Sequence, residues 1–282
     1  MLRRLLLRLY RLPEHANGLL PPDLGLASED VQIAANDGSR LHGWYLPAAR
    51  TDEDSRSAVL VMHGWASAGA DMLPAALAIV GAGMPTLVID ARGHGRNDRA
   101  DFMSMPRFAE DVDAAVAWLR ARPDVDPDRI ALVGHSVGGG ACLLAASRDP
   151  RIAAVVSIAS MAHPREMISR SFQRYRIPRP LIRMVLRTIE RTIGYAFDDF
   201  APLHSIERID SPVLVVHGRD DRTVNSTDAM RLADAGGPNA TLELVSGAGH
   251  RSLDGFEPVL DRIILFLRTS LTAGRDHVEG HT

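Results

Sequence analysis

Residues that could together activate a hydroxyl group occur in this chain beside short apolar runs. Ser136 lies in the segment GHSVG at 134–138, after the apolar run IALV at 130–133 and before the small-residue stretch 138–146. A strand, a serine flanked by glycines and a helix are what a nucleophile elbow requires, because its strained turn has no room for larger neighbours. The pattern predicts that Ser136 is a nucleophile.

A base and a carboxylate follow in the order that this chemistry needs. A serine hydroxyl is a poor nucleophile without a base, and the base needs an acid that orients it. The apolar run 213–216 leads into HGRDDRTV at 217–224, and the run 241–245 leads into a loop that ends at His250. The order Ser, acid, His therefore predicts His250 as the base, with Asp220 and Asp221 both open as its acid.

Backbone N–H groups are needed where negative charge develops on the substrate oxygen. Losing one such donor typically costs about 3 kcal/mol of transition-state stabilisation. Val137, directly after the nucleophile, supplies one donor in an elbow. The run VLVM at 59–62 precedes His63-Gly64-Trp65, so Trp65 is the predicted second donor of the oxyanion hole.

These segments together resemble the α/β-hydrolase superfamily over roughly residues 28–270. The matching segments are HGW at 63–65, DARGHG at 90–95, the elbow at 134–138, HGRDD at 217–221 and GH at 249–250. Within the superfamily, the chain is similar to small serine hydrolases described as esterases, lysophospholipases or serine aminopeptidases. The family pattern has the acid three residues after the glycine of His-Gly, which favours Asp221 and leaves Asp220 as a solvated neighbour or turn cap.

The resemblance implies a serine hydrolase that cleaves a carboxylic ester or thioester through an acyl-enzyme on Ser136. The catalytic residues are then Ser136, Asp221 and His250. The expected substrate is a small acyl compound, and the expected reaction uses no cofactor. Two alternatives stay open: a serine peptidase of the aminopeptidase type, and a non-catalytic hydrolase-like binding protein.

The remaining histidines and the single cysteine suggest structural roles. Four histidines lie beside glycines in the segments that carry the resemblance, where hydrogen bonds within loops are the expected role: His63, His94, His135 and His217. No HExxH or paired-cysteine spacing occurs, so no metal is predicted. Cys142 falls in the helix after the elbow, where a small buried apolar residue is expected.

Composition narrows the class of protein. The chain has 282 residues, 46% hydrophobic and 24% charged, and a net charge of -3, which does not favour nucleic acid. All 32 basic residues are arginine, which excludes a catalytic or phosphate-binding lysine. One cysteine and no run of eighteen apolar residues predict a cytoplasmic protein without a spanning helix. The oligomeric state is left open.

Strand and helix patterns predict an α/β fold with a mostly parallel central sheet flanked by helices. A hairpin over 31–46, turning at Asn36-Asp37-Gly38, is expected at a sheet edge. Apolar strands that alternate with helices then predict a covered sheet with the site at its carboxyl edge. The α/β-hydrolase core is assigned to residues 28–159 and 205–270, a helical cap insertion to 160–204, and a flexible tail to 271–282.

The predicted cap and the amino terminus are both rich in arginine. After Pro180, apolar residues recur at three- and four-residue steps while arginines 183, 187 and 191 follow another face, which predicts an amphipathic helix. Residues 1–27 are assigned to a basic amphipathic helix, MLRRLLLRLYRL, and a linker. Both arginine-rich segments could be ordinary packing or solvated faces, or could make peripheral contact with an anionic membrane.

Overall fold

A single eight-stranded sheet forms the centre of the molecule. The structure is a computed structural model that describes residues 27–48, 56–250 and 257–273, with positions 21 and 25. The described strands are β1 Glu29–Ala34, β2 Arg40–Leu46, β3 Ala58–Met62, β4 Thr86–Ile89, β5 Ile130–His135, β6 Ile152–Ile158, β7 Val213–Gly218 and β8 Ala240–Val245. Their order across the sheet is β1-β2-β4-β3-β5-β6-β7-β8.

The sheet is parallel except at one edge. Strands β1 and β2 form an antiparallel hairpin, and β2 also runs antiparallel to β4. The six strands from β3 to β8 pair in parallel, so their carboxyl ends meet at one edge. The hairpin turns through Gly38, whose φ of 84° suits glycine. The predicted edge hairpin and mostly parallel sheet are confirmed.

Helices cover both faces of the sheet, and a separate hydrophobic core lies on each face. The described helices are α1 Leu73–Gly81, α2 Met105–Arg120, α3 Val137–Ala146, α4 Pro164–Arg174, α5 Arg179–Ile193, α6 Pro202–Ile206, α7 Ser226–Gly236 and α8 Glu257–Ala273. Leu60 and Met62 of β3 pack into one core, while Val59 and Val61 pack into the other. This alternation follows from side chains that point to opposite faces along a strand, and it explains why β3 is apolar throughout.

The segment between β6 and β7 departs from the strand-helix alternation. It holds α4, α5, a short 3-10 turn at Phe197–Phe200 and α6. The predicted amphipathic helix after Pro180 corresponds to α5, in which Ile182, Val185 and Leu186 are buried. The helix ends at Gly194, which has a φ of 86° and is the usual left-handed end of a helix.

Several predicted features lie partly or wholly outside the described residues. The basic segment at residues 1–12 is outside them, as is most of the predicted tail. Helix α8 continues to Ala273, three residues past the predicted end of the core at 270. Among the helices of the described ranges, none combines the length and apolarity needed to cross a bilayer.

Candidate active site

Ser136 lies in a strained turn between β5 and α3. Its φ of 54° and ψ of -117° are unusual for a residue with a side chain, and strain of this kind persists only where neighbouring structure imposes it. The Ser136 N–H donates to the carbonyl oxygen of Ile158 at 2.7 Å, and the Gly140 N–H donates to the Ser136 carbonyl at 3.1 Å. These bonds fix the serine at the carboxyl end of a central strand.

The two glycines of GHSVG are required by close backbone packing. A Cβ on Gly134 would overlap the backbone of Gly138, since α3 turns directly over the end of β5. A Cβ on Gly138 would overlap the carbonyl oxygen of His63 on the neighbouring loop. The glycines thus bring the nucleophile segment and the 63–65 loop into contact.

His250 and Asp221 approach Ser136 from two other loops at the same edge. The Ser136 Oγ lies 3.1 Å from His250 Nε2, although the two residues are 114 positions apart. On the other side of the ring, His250 Nδ1 lies 2.7 Å from Asp221 Oδ2. A carboxylate on Nδ1 favours the tautomer with the proton there, which leaves Nε2 to accept the serine proton.

Asp221 is buried and held as an anion by several donors. Its Oδ1 accepts the N–H groups of Thr223 at 2.8 Å and Val224 at 2.9 Å, while His217 Nε2 lies 3.2 Å from Oδ2. Burial by itself would raise the pKa of Asp221, but hydrogen bonds from His217, His250 and the Val224 N–H bring it well below the ordinary value. The carboxylate therefore remains charged beside His250.

Asp220, the competing candidate, points to a different part of the same loop. Its Oδ2 accepts the Gly247 N–H at 2.8 Å, and its own N–H donates to the Ala248 carbonyl at 3.2 Å. Asp220 is exposed and links the acid loop to the loop that carries His250. The structure therefore brings Asp221, and not Asp220, to the histidine.

His135 contacts the His250 loop in a way that the sequence did not predict. Its Nε2–H donates to the carbonyl oxygen of His250 at 2.8 Å, across 115 positions of sequence. Burial and, to a smaller extent, the nearby His250 lower the pKa of His135 to about 4, so the ring is neutral near pH 7. The residue inside GHSVG thus ties the nucleophile turn to the base.

The 63–65 loop is held against the serine by two histidines. His63 Nε2 accepts the Ala91 N–H at 2.9 Å, and its Nδ1–H donates to the Gly64 carbonyl at 2.7 Å. His94 Nε2 accepts the N–H of Ala66, at 3.3 Å. The predicted structural role for these loop histidines agrees with the hydrogen bonds seen here.

The predicted oxyanion donors belong to segments that meet at Ser136. A Cβ built on Gly64 would lie 3.2 Å from the Cβ of Ser136, so the residue before Trp65 packs directly against the nucleophile. Val137 is the first residue of α3. The first N–H groups of a helix have no acceptor within it, and they carry the positive end of its dipole.

The segment DARGHG has a structural role in the described site. Asp90 is buried and accepts the N–H groups of Gly69 at 2.7 Å and Arg96 at 3.0 Å. Arg92 is also buried and pairs with Asp111, at 2.7 Å from Nε. Burial raises the pKa of Asp111 to about 6 in spite of that pair. These contacts fix the loop after β4, in which the ring of His94 lies 5.1 Å from that of His63.

Two further features of the described residues concern metal ligands and the cysteine. Within those ranges, no group of three or more histidine, cysteine or acidic side chains is arranged to hold a metal ion. Cys142 is fully buried in α3, and burial raises the pKa of its thiol, which suits the predicted packing role.

The parallel sheet, the elbow and the three-loop site define an α/β hydrolase. Residues 53–197 match the family model described as serine aminopeptidase, S33, and the chain belongs to this family of α/β hydrolases. An uncharacterized protein of Mycobacterium tuberculosis is 33% identical over 264 residues, which covers 92% of this chain and 84% of that protein.

Two further comparisons concern proteins with named activities. A Pyrococcus furiosus esterase has a similar structure, with a TM-score of 0.73 and 23% identity, covering 93% of this chain and 98% of that one. At this identity the likeness shows the fold alone. A thiohydrolase of Arthrinium phaeospermum is 36% identical over 136 residues, which covers 46% of this chain and 42% of that protein.

Proposed function

We propose that this α/β hydrolase cleaves a carboxylic ester or thioester through an acyl-enzyme on Ser136. The observation that carries the proposal is the continuous contact from Ser136 Oγ to His250 Nε2, at 3.1 Å, and from His250 Nδ1 to Asp221 Oδ2, at 2.7 Å. A hydroxyl, an imidazole and an ionised carboxylate in this order are what nucleophilic acyl transfer requires.

The first step forms the acyl-enzyme. Ser136 Oγ attacks the carbonyl carbon of the substrate while His250 Nε2 takes the hydroxyl proton, and Asp221 stabilises the resulting imidazolium. The backbone N–H groups of Trp65 and Val137 donate to the oxyanion. As the tetrahedral intermediate collapses, His250 gives its proton to the leaving alkoxide or thiolate, which departs as an alcohol or thiol.

The second step releases the acid. Water attacks the acyl-enzyme carbonyl as His250 accepts one of its protons, and the same two N–H groups donate to the second oxyanion. His250 then returns the proton to Ser136 Oγ as the acyl bond breaks. The product is a carboxylic acid, and the free serine is restored.

An ester or thioester fits the charge around the site better than a peptide with a free amino terminus. An aminopeptidase needs a carboxylate that binds the substrate amine, but Glu166 pairs with Arg231 at 2.6 Å, and Glu190 pairs with Arg165 at 2.7 Å. The buried Asp228 is likewise paired, with Arg170 at 2.8 Å. The partial likeness to a thiohydrolase also supports the thioester class.

Peptidase activity is the second candidate because the matching family model is described as a serine aminopeptidase. A binding protein without catalysis is less well supported, since such a protein would have no need of a hydrogen-bonded serine, histidine and ionised aspartate. In this proposal residues 160–204 form a cap inserted at the carboxyl edge of the sheet, and the inward side of the cap, opposite its exposed arginines, bounds the acyl group.

A matched set of substrates tests the proposal. We expect the purified protein to hydrolyse p-nitrophenyl esters and acyl thioesters, and to act far more slowly on aminoacyl p-nitroanilides. The Ser136→Ala variant is the control for background hydrolysis. A preference for the anilides would assign the protein to the peptidases, and equal rates for the two proteins on every substrate would contradict the proposal.

A further inference from the structure

The solvent side of α5 carries a dense row of arginines with apolar residues between them. We call the surface formed by Leu181, Arg183, Met184, Arg187 and Arg191 the outer face of α5. All five are exposed, and Leu181 and Met184 are exposed to 43% and 46%. At 3.6 residues per turn, these positions cover about half of the helix circumference, opposite the buried Ile182, Val185 and Leu186.

The positive charge of this face is not balanced by neighbouring acids. Residues 161–191 contain eight arginines and two glutamates, although the whole chain has a net charge of -3. Both glutamates are paired elsewhere, Glu166 with Arg231 and Glu190 with Arg165. Within the described residues, no carboxylate lies at ion-pair distance from Arg183, Arg187 or Arg191.

The mixture of arginine, methionine and leucine indicates what this face could contact. Arginine binds phosphate groups through paired N–H donors, and exposed apolar side chains gain free energy when they leave water. A nucleic acid would satisfy the arginines and leave Leu181 and Met184 in water. A phospholipid surface satisfies both, since anionic headgroups lie directly above the acyl chains.

We infer that the outer face of α5 docks on an anionic phospholipid membrane. The first twelve residues have the same chemistry in sequence, with four arginines and six leucines, although they lie outside the described residues. Helix α5 belongs to the segment between β6 and β7, which leaves the sheet at the edge where Ser136 lies. This docking does not depend on the hydrolysis proposed above.

Vesicle co-sedimentation tests the inference. The 282-residue Ser136→Ala protein is used so that lipid hydrolysis does not affect the assay. It should sediment with phosphatidylcholine–phosphatidylglycerol vesicles and much less with phosphatidylcholine alone. High salt should weaken the binding, because it screens exposed charges. Adding R183Q, R187Q and R191Q should lower the partition coefficient about a hundredfold, since each arginine near an anionic surface contributes about fivefold.

Two control variants isolate the roles of charge position and apolar contact. The triple variant R40Q, R151Q and R208Q removes the same charge from other exposed sites and should bind as before. The pair L181S and M184S should weaken binding about tenfold through lost apolar contact. In the background that retains Ser136, the arginine triple variant should hydrolyse a soluble short-chain ester at the unaltered rate, which separates this test from that of the proposed function.

Three outcomes would overturn the inference. The first is equal sedimentation with neutral and anionic vesicles. The second is vesicle binding that persists undiminished in the R183Q, R187Q and R191Q protein. The third is tight binding to a duplex DNA oligonucleotide that is abolished by these three substitutions, while vesicle binding is unaffected. That result would assign the outer face of α5 to nucleic acid.

Discussion

At the scale of single residues, two adjacent carboxylates in one loop have separate environments. Asp221 is buried against His250, at 2.7 Å, whereas Asp220 is exposed and accepts the Gly247 N–H. The two carboxylates therefore differ in burial and in the hydrogen-bond donors that contact them. Their adjacency makes them a natural pair for substitution.

Replacing each carboxylate by its amide tests the role of Asp221. Asp221→Asn should lower kcat/KM for an ester by about ten-thousandfold, because an amide no longer stabilises the imidazolium and favours the wrong tautomer. Asp220→Asn should lower it by less than about threefold. Steady-state kinetics on folded variants measures both values, and comparable losses in the two would refute the assignment.

The neutral, buried His135 should make stability fall with acidity. Its pKa is about 4 in the folded protein and about 6.5 when unfolded, so the unfolded chain takes up a proton first as the pH falls. The stabilising contribution is complete above pH 6.5 and is lost towards pH 4, amounting to about 3 kcal/mol. Urea unfolding across this range should show that loss in the wild-type protein.

Two substitutions at 135 separate titration from positioning. His135→Gln keeps an N–H donor for the His250 carbonyl but cannot titrate, so it should retain most of kcat and lose this pH dependence. His135→Phe removes the donor and should lower kcat about tenfold with little change in KM. An unaltered pH dependence in His135→Gln would show that another group is responsible.

Ser136 and His250 could be predicted because each follows a recognisable apolar run in the required order, whereas the choice of Asp221 over Asp220 depended on the family resemblance. Ser136 has glycine neighbours, and Asp221 and His250 come just beyond strands. The contact of His135 with His250 could not be predicted in this way. It crosses 115 positions, and a histidine beside glycine carries no signal of its partner.

At the scale of elements, the elbow depends on the absence of side chains where β5 turns into α3. The sequence predicted this turn because strand, glycines and helix follow each other within a few residues. The beginning of α2 at Met105 comes only from the structure, where the Oγ of the preceding Ser104 accepts the Arg107 N–H at 3.5 Å. The separate helix α4 was missed because its apolar residues form only a short pattern.

Two glycine substitutions test the packing of the elbow. In Gly138→Ala the new Cβ would overlap the His63 carbonyl oxygen, so we expect a destabilisation of about 3 kcal/mol and loss of activity. Gly81→Ala, at the end of α1, meets nothing within 4 Å and should change stability by less than about 1 kcal/mol. Chemical unfolding of both variants is the measurement, and a tolerated Gly138→Ala would contradict the packing.

At the scale of the whole molecule, the sheet order and the attachment of the arginine-rich segment come only from the structure. The alternation of strands and helices predicted a parallel sheet, but not that β4 lies between β2 and β3. A break in the alternation of strands and helices predicted the inserted segment, while its anchoring depends on distant contacts. Arg170 of α4 reaches Asp228 of α7 with two hydrogen bonds, at 2.8 and 3.3 Å.

Removing the contact between Arg170 and Asp228 should weaken the attachment of α4 to α7. Asp228→Asn should speed tryptic cleavage near the exposed Arg176 about tenfold, since weakening the contact by about 1.4 kcal/mol increases local opening by that factor. The control, Asp234→Asn, changes an exposed carboxylate on the same helix and should leave the rate as it was. Equal rates in all three proteins would show that Asp228 does not hold the segment.

Labelling with a fluorophosphonate distinguishes an activated Ser136 from an ordinary serine hydroxyl. Such a probe reacts with a serine only when a base removes the hydroxyl proton. Mass spectrometry after digestion should find one label per chain, on the peptide that contains Ser136, with none in Ser136→Ala and very slow labelling in His250→Gln. Absence of label on the folded wild-type protein, or a label on another residue, would show that Ser136 is not the activated nucleophile.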